Sequence, residues 1–194
     1  MKNPNHPKKG DSIRVDPIRK MKDIKSIKTM LEGKPRDYCL FVLGINTNLR
    51  ASDLLQITAG MVRGLKPGDE IELREKKTGK TRRINLNGAC MDAIDQLLAS
   101  REYQDKDTLF AGQRGALTVP SVNRLVKQWA GAINLRGNYG AHTLRKTFGY
   151  HQRVTFGVAL PELMVVFNHS SQRETLNYLC VQAAEIKSIY ENEL

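Results

Sequence analysis

No stretch of this 194-residue chain is apolar for long enough to cross a bilayer, and its basic start, MKNPNHPKKGD, has no apolar segment behind it. Neither a membrane span nor a secretory leader is expected. Cysteine is scarce: Cys39, Cys90 and Cys180 stand far apart in apolar surroundings and are odd in number. Such a set points to reduced thiols in a cytoplasmic protein rather than to a disulfide frame. No CxxC pair or His/Cys cluster offers a zinc site. Internal repeats and low-complexity tracts are missing too.

About 40% of the residues are hydrophobic and they recur regularly, so the chain reads as a globular domain with one core and room for a small appendage. Its 31 basic and 20 acidic residues leave a net charge of +11. That excess favours polyanions, nucleic acid above all, through counterion release from phosphates. Charge alone does not separate this from a basic protein that uses lysines for solvation. Its distribution helps. Residues 1–37 hold 11 basic and 5 acidic side chains, and a second concentration runs from Arg74 to Arg83.

Residues 1–15, with Pro4, Pro7 and Gly10, read as a flexible basic arm. Asp16-Pro17 resembles an N-cap followed by a first helical position, and Ile18, Met21, Ile24, Ile27, Met30 and Leu31 then keep helical spacing up to Gly33. A buried helix is expected from Pro35 to about Thr47 and a short one from Arg50. Met61-Val62 suggests a short strand. Alternation over Glu70–Glu75 and Thr81–Leu86, about the turn Lys77-Thr78-Gly79-Lys80, predicts a hairpin with a lysine-rich tip. Helices follow from Asn87 to Ser100, from a cap at Thr118 or Ser121, across AHTLRKTFGYHQRVTF, and from Pro161 to Phe167. Residues 181–194 predict a weak amphipathic tail helix. The expected class is mainly α with a small antiparallel β-sheet (α+β).

Arg50, Lys77, His142-x-x-Arg145, His169 and Tyr178 stand in one order along this chain. The words TNLRASDLLQIT, HTLRKTF and NHSSQRETLNY surround them, and the tyrosine lies nine residues after the histidine. Together they resemble the catalytic domain of the phage-integrase family, the tyrosine recombinases, over roughly residues 17–190. The resemblance implies the DNA breaking-rejoining fold, with a catalytic domain over residues 16–180. Asn168 stands in place of the family's usual glycine, and asparagine tolerates the left-handed backbone a turn there needs. With only about 16 residues ahead of the matching region, the chain is similar to the short members, such as the fimbrial phase-switch invertases, or to an excised catalytic domain.

The residue types suit the chemistry of a phosphodiester under attack. Negative charge grows on the nonbridging oxygens, so fixed positive charge and hydrogen-bond donors there lower the barrier. Arg50 and Arg145 fit this role, since guanidinium stays charged and binds phosphate through a planar fork. His169 would add a donor. A phenol with pKa near ~10 is ionised to about one part in a thousand at neutral pH, so Tyr178 needs a base, and His142 is the candidate. The resemblance implies Lys77 as general acid toward the departing 5′-oxygen, with Lys80 as the fallback. Asp53, three residues after Arg50, is expected to orient an arginine. Tyr190 is a rival tyrosine outside the boxes, and His151, which has no box, is expected to be a packing or surface residue.

The implied activity is site-specific recombination of double-stranded DNA, as an integrase or invertase, through a covalent 3′-phosphotyrosyl intermediate without ATP or metal. No cofactor is expected. The boxes are basic, whereas a magnesium-dependent nuclease needs acidic ligands. The resemblance also implies a synaptic tetramer on DNA, with a tail after Tyr178 that docks on a neighbouring protomer, and leaves room for an accessory DNA-bending protein. Two other readings share part of the pattern: type IB topoisomerase-like relaxation, and a basic DNA-binding protein that no longer cleaves.

Overall fold

Helix α2 (Pro35–Asn46) is the element on which the others pack. Cys39, Leu40, Phe41, Val42 and Leu43 are each 0% exposed, because a helix apolar around its whole circumference has no face to give to water. The structure, a computed structural model, describes residues 14–113 and 115–180. The expected tail helix over 181–194, Tyr190 and nearly all of the expected arm lie outside the described residues.

Helix α1 (Met21–Leu31) lies on α2 through Ile24, Ile27 and Leu31. It starts later than Asp16-Pro17 predicted. Asp16 is occupied elsewhere: its N–H donates to Asn138 O at 2.7 Å and its Oδ2 accepts from Asn138 N at 3.1 Å. Ile18 N donates to Thr147 Oγ1 at 2.9 Å, and His151 Nε2 contacts Ile18 O at the same distance. Residues 16–18 are thus pinned in extended form along a later helix. Tertiary hydrogen bonds outweigh the local capping signal, and His151 is a packing residue rather than a surface one.

After α2 come two single turns, α3 (Ala51–Leu54) and α4 (Ala59–Val62). Met61-Val62 is therefore helical rather than a strand: two residues are too few to show a period, and Thr58 already bridges to Thr108. Strands β1 (Glu70–Arg74) and β2 (Thr81–Asn85) form the expected hairpin, with Leu73 opposite Arg82. Ile71, Leu73 and Ile84 face the core. Helix α5 (Gly88–Ala99) is capped by the Asn87 side chain. A second, two-residue ladder pairs β3 (Ala111–Gly112) with β4 (Gly115–Ala116).

Helix α6 (Val119–Ala132) is capped by Thr118, whose Oγ1 accepts from Ser121 N. Helix α7 (Ala141–Val154) packs on α2 and α6. The approach to α2 is close: a Cβ on Gly44 would lie 2.6 Å from Leu144 Cδ1. Helices α8 (Leu160–Phe167) and α9 (Gln172–Leu179) sit on a small separate cluster built from Leu163, Phe167 and Leu179. All three cysteines are unbridged. The class is mainly α with small antiparallel sheets, two of them rather than one among the described residues.

Candidate active site

Arg50 precedes α3 in extended conformation, which turns its side chain toward the hairpin. Its Nη1 is 2.9 Å from Glu75 Oε2 and 3.8 Å from Asp53 Oδ2, although neither contact is aligned well enough to count as a hydrogen bond from Nη1. Glu75 is thus the nearer partner. Asp53 does more for the hairpin than for the arginine: it is fully buried, and its Oδ1 accepts from Lys76 N at 2.9 Å. Burial alone would raise the Glu75 carboxyl, but contacts with Thr78, Arg82 and Arg50 outweigh it and hold the pKa down to about 2.

Helix α7 supplies the next groups. It buries Thr143, Arg145, Lys146, Thr147 and His151, an unusual polar load for one helix and costly without partners. Arg145 is 4% exposed; its Nε donates to Asn48 Oδ1 at 2.9 Å and its Nη2 to Phe167 O at 3.4 Å. Burial pushes its pKa down to about 10, so it remains a cation at neutral pH. His142 lies one turn earlier and is open to solvent at the surface of the site. Its pKa is lowered by partial burial and then by Arg145, Lys146, Arg50 and Lys77, which keeps the imidazole neutral and able to accept a proton.

Asn168 ends α8 at φ 54°, ψ 48°, the left-handed turn expected where glycine is usual. This turn delivers His169, whose Nδ1 meets Thr175 Oγ1 at 3.0 Å. Ser171 caps α9 by accepting from Glu174 N, and two turns on comes Tyr178. The His169 and Tyr178 rings stand edge to face at 5.3 Å. The Arg145 guanidinium lies 5.9 Å from the Tyr178 ring centroid, and the Lys146 ammonium 5.3 Å. Burial raises the Tyr178 pKa, against the pull of Arg145 and Arg50.

His142, His169 and Tyr178 line one pocket of about 390 Å³, together with Lys146, Arg14 and Val15. Arg145 and Arg50 act electrostatically on all three. Lys77 sits exposed in the hairpin turn, and its charge reaches His142. Lys80 lines a different hollow of about 510 Å³, with Arg82, Asn48 and Val166. Among the described residues, three buried side-chain atoms lack a hydrogen-bond partner: Arg50 Nη1, Asp53 Oδ2 and Tyr178 Oη. Arg50 Nη1 and Asp53 Oδ2 still have ion-pair contacts, whereas the bare phenol costs stability in the free protein. His142 does not hold the phenol in this state.

Sequence reasoning missed Asn48, Glu75 and Lys146. Asn48 stands inside the first arginine word and takes φ 52°, but a local pattern does not say that its amide meets Arg145. Lys146 follows Arg145 directly, and only its 6% exposure marks it out from the other lysines.

The phage integrase family profile matches residues 19–185. The probable integrase/recombinase YoeC of Bacillus subtilis (strain 168) is 32% identical over 182 residues, which cover 91% of this chain and 96% of that protein. A tyrosine recombinase XerC of Caldanaerobacter subterraneus subsp. tengcongensis is 30% identical over 183 residues, and the chain spans about half its length (91% of this chain, 50% of that one). The crystal structure of XerA recombinase superposes with a TM-score of 0.72 at 17% identity, covering 97% of this chain and 68% of that one. Over nearly its whole described length, then, the chain belongs to the phage integrase family, the tyrosine recombinases.

Proposed function

We propose that this tyrosine-type site-specific recombinase cuts and rejoins duplex DNA with Tyr178 as nucleophile. The phenol oxygen attacks the scissile phosphorus while His142 takes its proton. Negative charge that builds on the nonbridging oxygens meets the guanidiniums of Arg50 and Arg145 and an N–H of His169. As the bond from phosphorus to the 5′-oxygen breaks, Lys77 supplies the proton that makes it a hydroxyl. The products are a 3′-phosphotyrosyl enzyme and a free 5′-hydroxyl. The new ester keeps the energy of the old one, so a 5′-hydroxyl from a partner strand reverses the step without ATP.

The observation that carries this reading is the state of Tyr178 Oη. It is buried and unpartnered, next to the His169 ring and in one pocket with His142, under the field of two arginines. A packing tyrosine would have its hydroxyl satisfied or in water. Arg50 Nη1 is ion-paired with Glu75 at 2.9 Å but makes no well-aligned hydrogen bond, and a bound phosphate oxygen would give it an aligned acceptor. Because His142 does not hold the phenol in the free protein, DNA binding has to bring base, nucleophile and phosphate into line.

The wider reading follows from the same chemistry. Exchange between two duplexes needs four strand cleavages, hence four protomers, in keeping with a synaptic tetramer on DNA. The basic excess and the lysine-rich hairpin suit a phosphate backbone, and an accessory DNA-bending protein would lower the cost of synapsis. Residues 1–15 are read as a basic arm, 16–180 as the catalytic domain and 181–194 as a docking tail, in a cytoplasmic protein. No helix among the described residues is long and apolar enough to cross a membrane.

A nicked duplex whose short fragment bearing the freed 5′-hydroxyl diffuses away after cleavage tests the proposal. The wild-type chain should become covalently trapped in EDTA, and Tyr178→Phe should not. Trapping by Tyr178→Phe at the wild-type rate would refute the assignment.

A further inference from the structure

Arg82 lies on β2 with its side chain 17% exposed, and both arms of its guanidinium are in use. Nη1 meets Glu75 Oε1 at 3.0 Å, and Nη2 donates to Val166 O, also at 3.0 Å. Glu75 is the residue whose other oxygen faces Arg50 and accepts from Thr78 Oγ1 at 2.7 Å, next to Lys77 in the turn. Val166 belongs to the last turn of α8, where carbonyls have no partner within the helix, and Asn48 Nδ2 also donates to it at 2.8 Å. One guanidinium therefore ties the base of the Lys77 turn to the end of the helix that leads into His169 and Tyr178.

That tie has work to do, because among the described residues it is the hydrogen bond that joins the hairpin to α8. The helix pair rests on its own cluster of three fully buried residues, apart from the main core. The hairpin turn is exposed over residues 76–80. A general acid and a nucleophile must meet one phosphorus from opposite sides, and small errors in their relative placement are expensive. Arg82 is poorly suited to be a simple DNA backbone contact, because both Nη atoms already have protein acceptors and the side chain is mostly out of solvent. Lysine is a poorer substitute, since its ammonium is a single point whereas the rigid planar guanidinium holds its two Nη donors apart.

We propose that Arg82 is a positioning residue for proton delivery, one that registers the Lys77 turn against α8 and so against Tyr178. The inference rests on the reading of Tyr178 as nucleophile and Lys77 as acid. It predicts that loss of Arg82 damages the protonation of the leaving group and leaves attack by Tyr178 intact.

The test uses the full chain in single-turnover trapping on two nicked duplexes, one with the natural 5′-oxygen at the scissile bond and one with a bridging 5′-sulfur. Sulfur departs as a thiolate and needs no proton. Arg82→Met and Arg82→Gln should trap about 10- to 100-fold more slowly on the oxygen substrate. Their DNA affinity should change by less than about threefold, since no phosphate contact is lost, and the sulfur substrate should restore the wild-type rate. Lys77→Ala should follow the same pattern. Wild-type rates on oxygen, a deficit that sulfur does not relieve, or a loss of affinity as large as the loss of rate would each overturn the inference. If Arg82→Met does not melt as a folded protein, Arg82→Gln, which keeps an amide donor at similar reach, decides. Failure of the wild type to trap at all would instead refute the nucleophile assignment, and failure of sulfur to rescue Lys77→Ala would refute the acid assignment.

Discussion

Asn48 Oδ1 accepts a 2.9 Å hydrogen bond from Arg145 Nε across 97 positions of sequence, with Asn48 1% and Arg145 4% exposed. The asparagine does two further things. Its Nδ2 donates to Val166 O, and its backbone sits at φ 52°, a region that asparagine enters more readily than other side chains. One amide therefore aims an arginine and anchors the end of α8.

Asn48→Ala should lose both bonds and strain the backbone. We expect cleavage to slow by about 10²-fold, as when one transition-state donor is misplaced, and stability to fall by about 2–3 kcal/mol. Asn48→Gly should slow cleavage equally but recover about 1 kcal/mol of that stability, because glycine accepts positive φ. Trapping kinetics and urea unfolding check both numbers. A wild-type rate in either variant would show that Arg145 needs no such aim.

Tyr178→Phe should abolish the covalent complex without loss of stability. The hydroxyl it removes has no partner, so unfolding free energy should stay level or rise by up to about 1 kcal/mol. Destabilisation beyond about 1 kcal/mol would mean that the phenol is hydrogen-bonded in solution.

The acid limb of the cleavage rate should lie below pH 6.5. Burial and neighbouring cations lower the pKa values of both His142 and His169 from that ordinary value. A depressed imidazole stays neutral until the pH falls below its own pKa, so His142 can accept a proton throughout neutral conditions. A rate profile of trapping between pH 5 and 8 decides, and a midpoint above 6.5 contradicts the assignment.

Glu75→Gln should weaken the fold at neutral pH and cease to matter in acid. The carboxyl titrates at about 2 in the folded chain against 4.5 ordinarily. Its folded pKa is depressed, so its contribution is full above pH 4.5 and disappears as pH falls through 2. Melting curves of the two proteins should therefore differ at pH 7 and converge toward pH 2. A constant gap would place the effect in packing.

Gly149→Ala should disturb α9. A Cβ there would lie 2.6 Å from Phe167 Cζ and would also clash with Leu179, both fully buried. Overpacking costs about 1–3 kcal/mol, against a gain of up to about 1 kcal/mol from helix propensity. Net destabilisation is expected, with trapping by Tyr178 reduced more than DNA affinity. Equal stability would show that the α9 cluster yields easily.

Much of the fold was legible in advance where a pattern is long. The fully apolar run of α2, the alternation of β1 and β2, and the helical spacing from Asn87 all declare themselves within a dozen residues. Short or competing signals misled. Asp16-Pro17 looks like a helix start, but Asn138 and Thr147 hold those residues extended. Met61-Val62 is too brief for a period, and β3 with β4 rests on a single turn of four residues.

The site divides in the same way. The order Arg50, Lys77, His142, Arg145, His169, Tyr178 is a property of the chain alone, because each box is a local word whose residue types are dictated by phosphate chemistry. Which partners aim those groups is a property of the folded molecule. Glu75 facing Arg50, Asn48 holding Arg145 and Arg82 bonded to Val166 O join residues that are 25, 97 and 84 positions apart. A hydrogen bond requires two atoms within about 3 Å of each other, and at such separations only the packing of α2, α7, α8 and the hairpin decides which atoms those are.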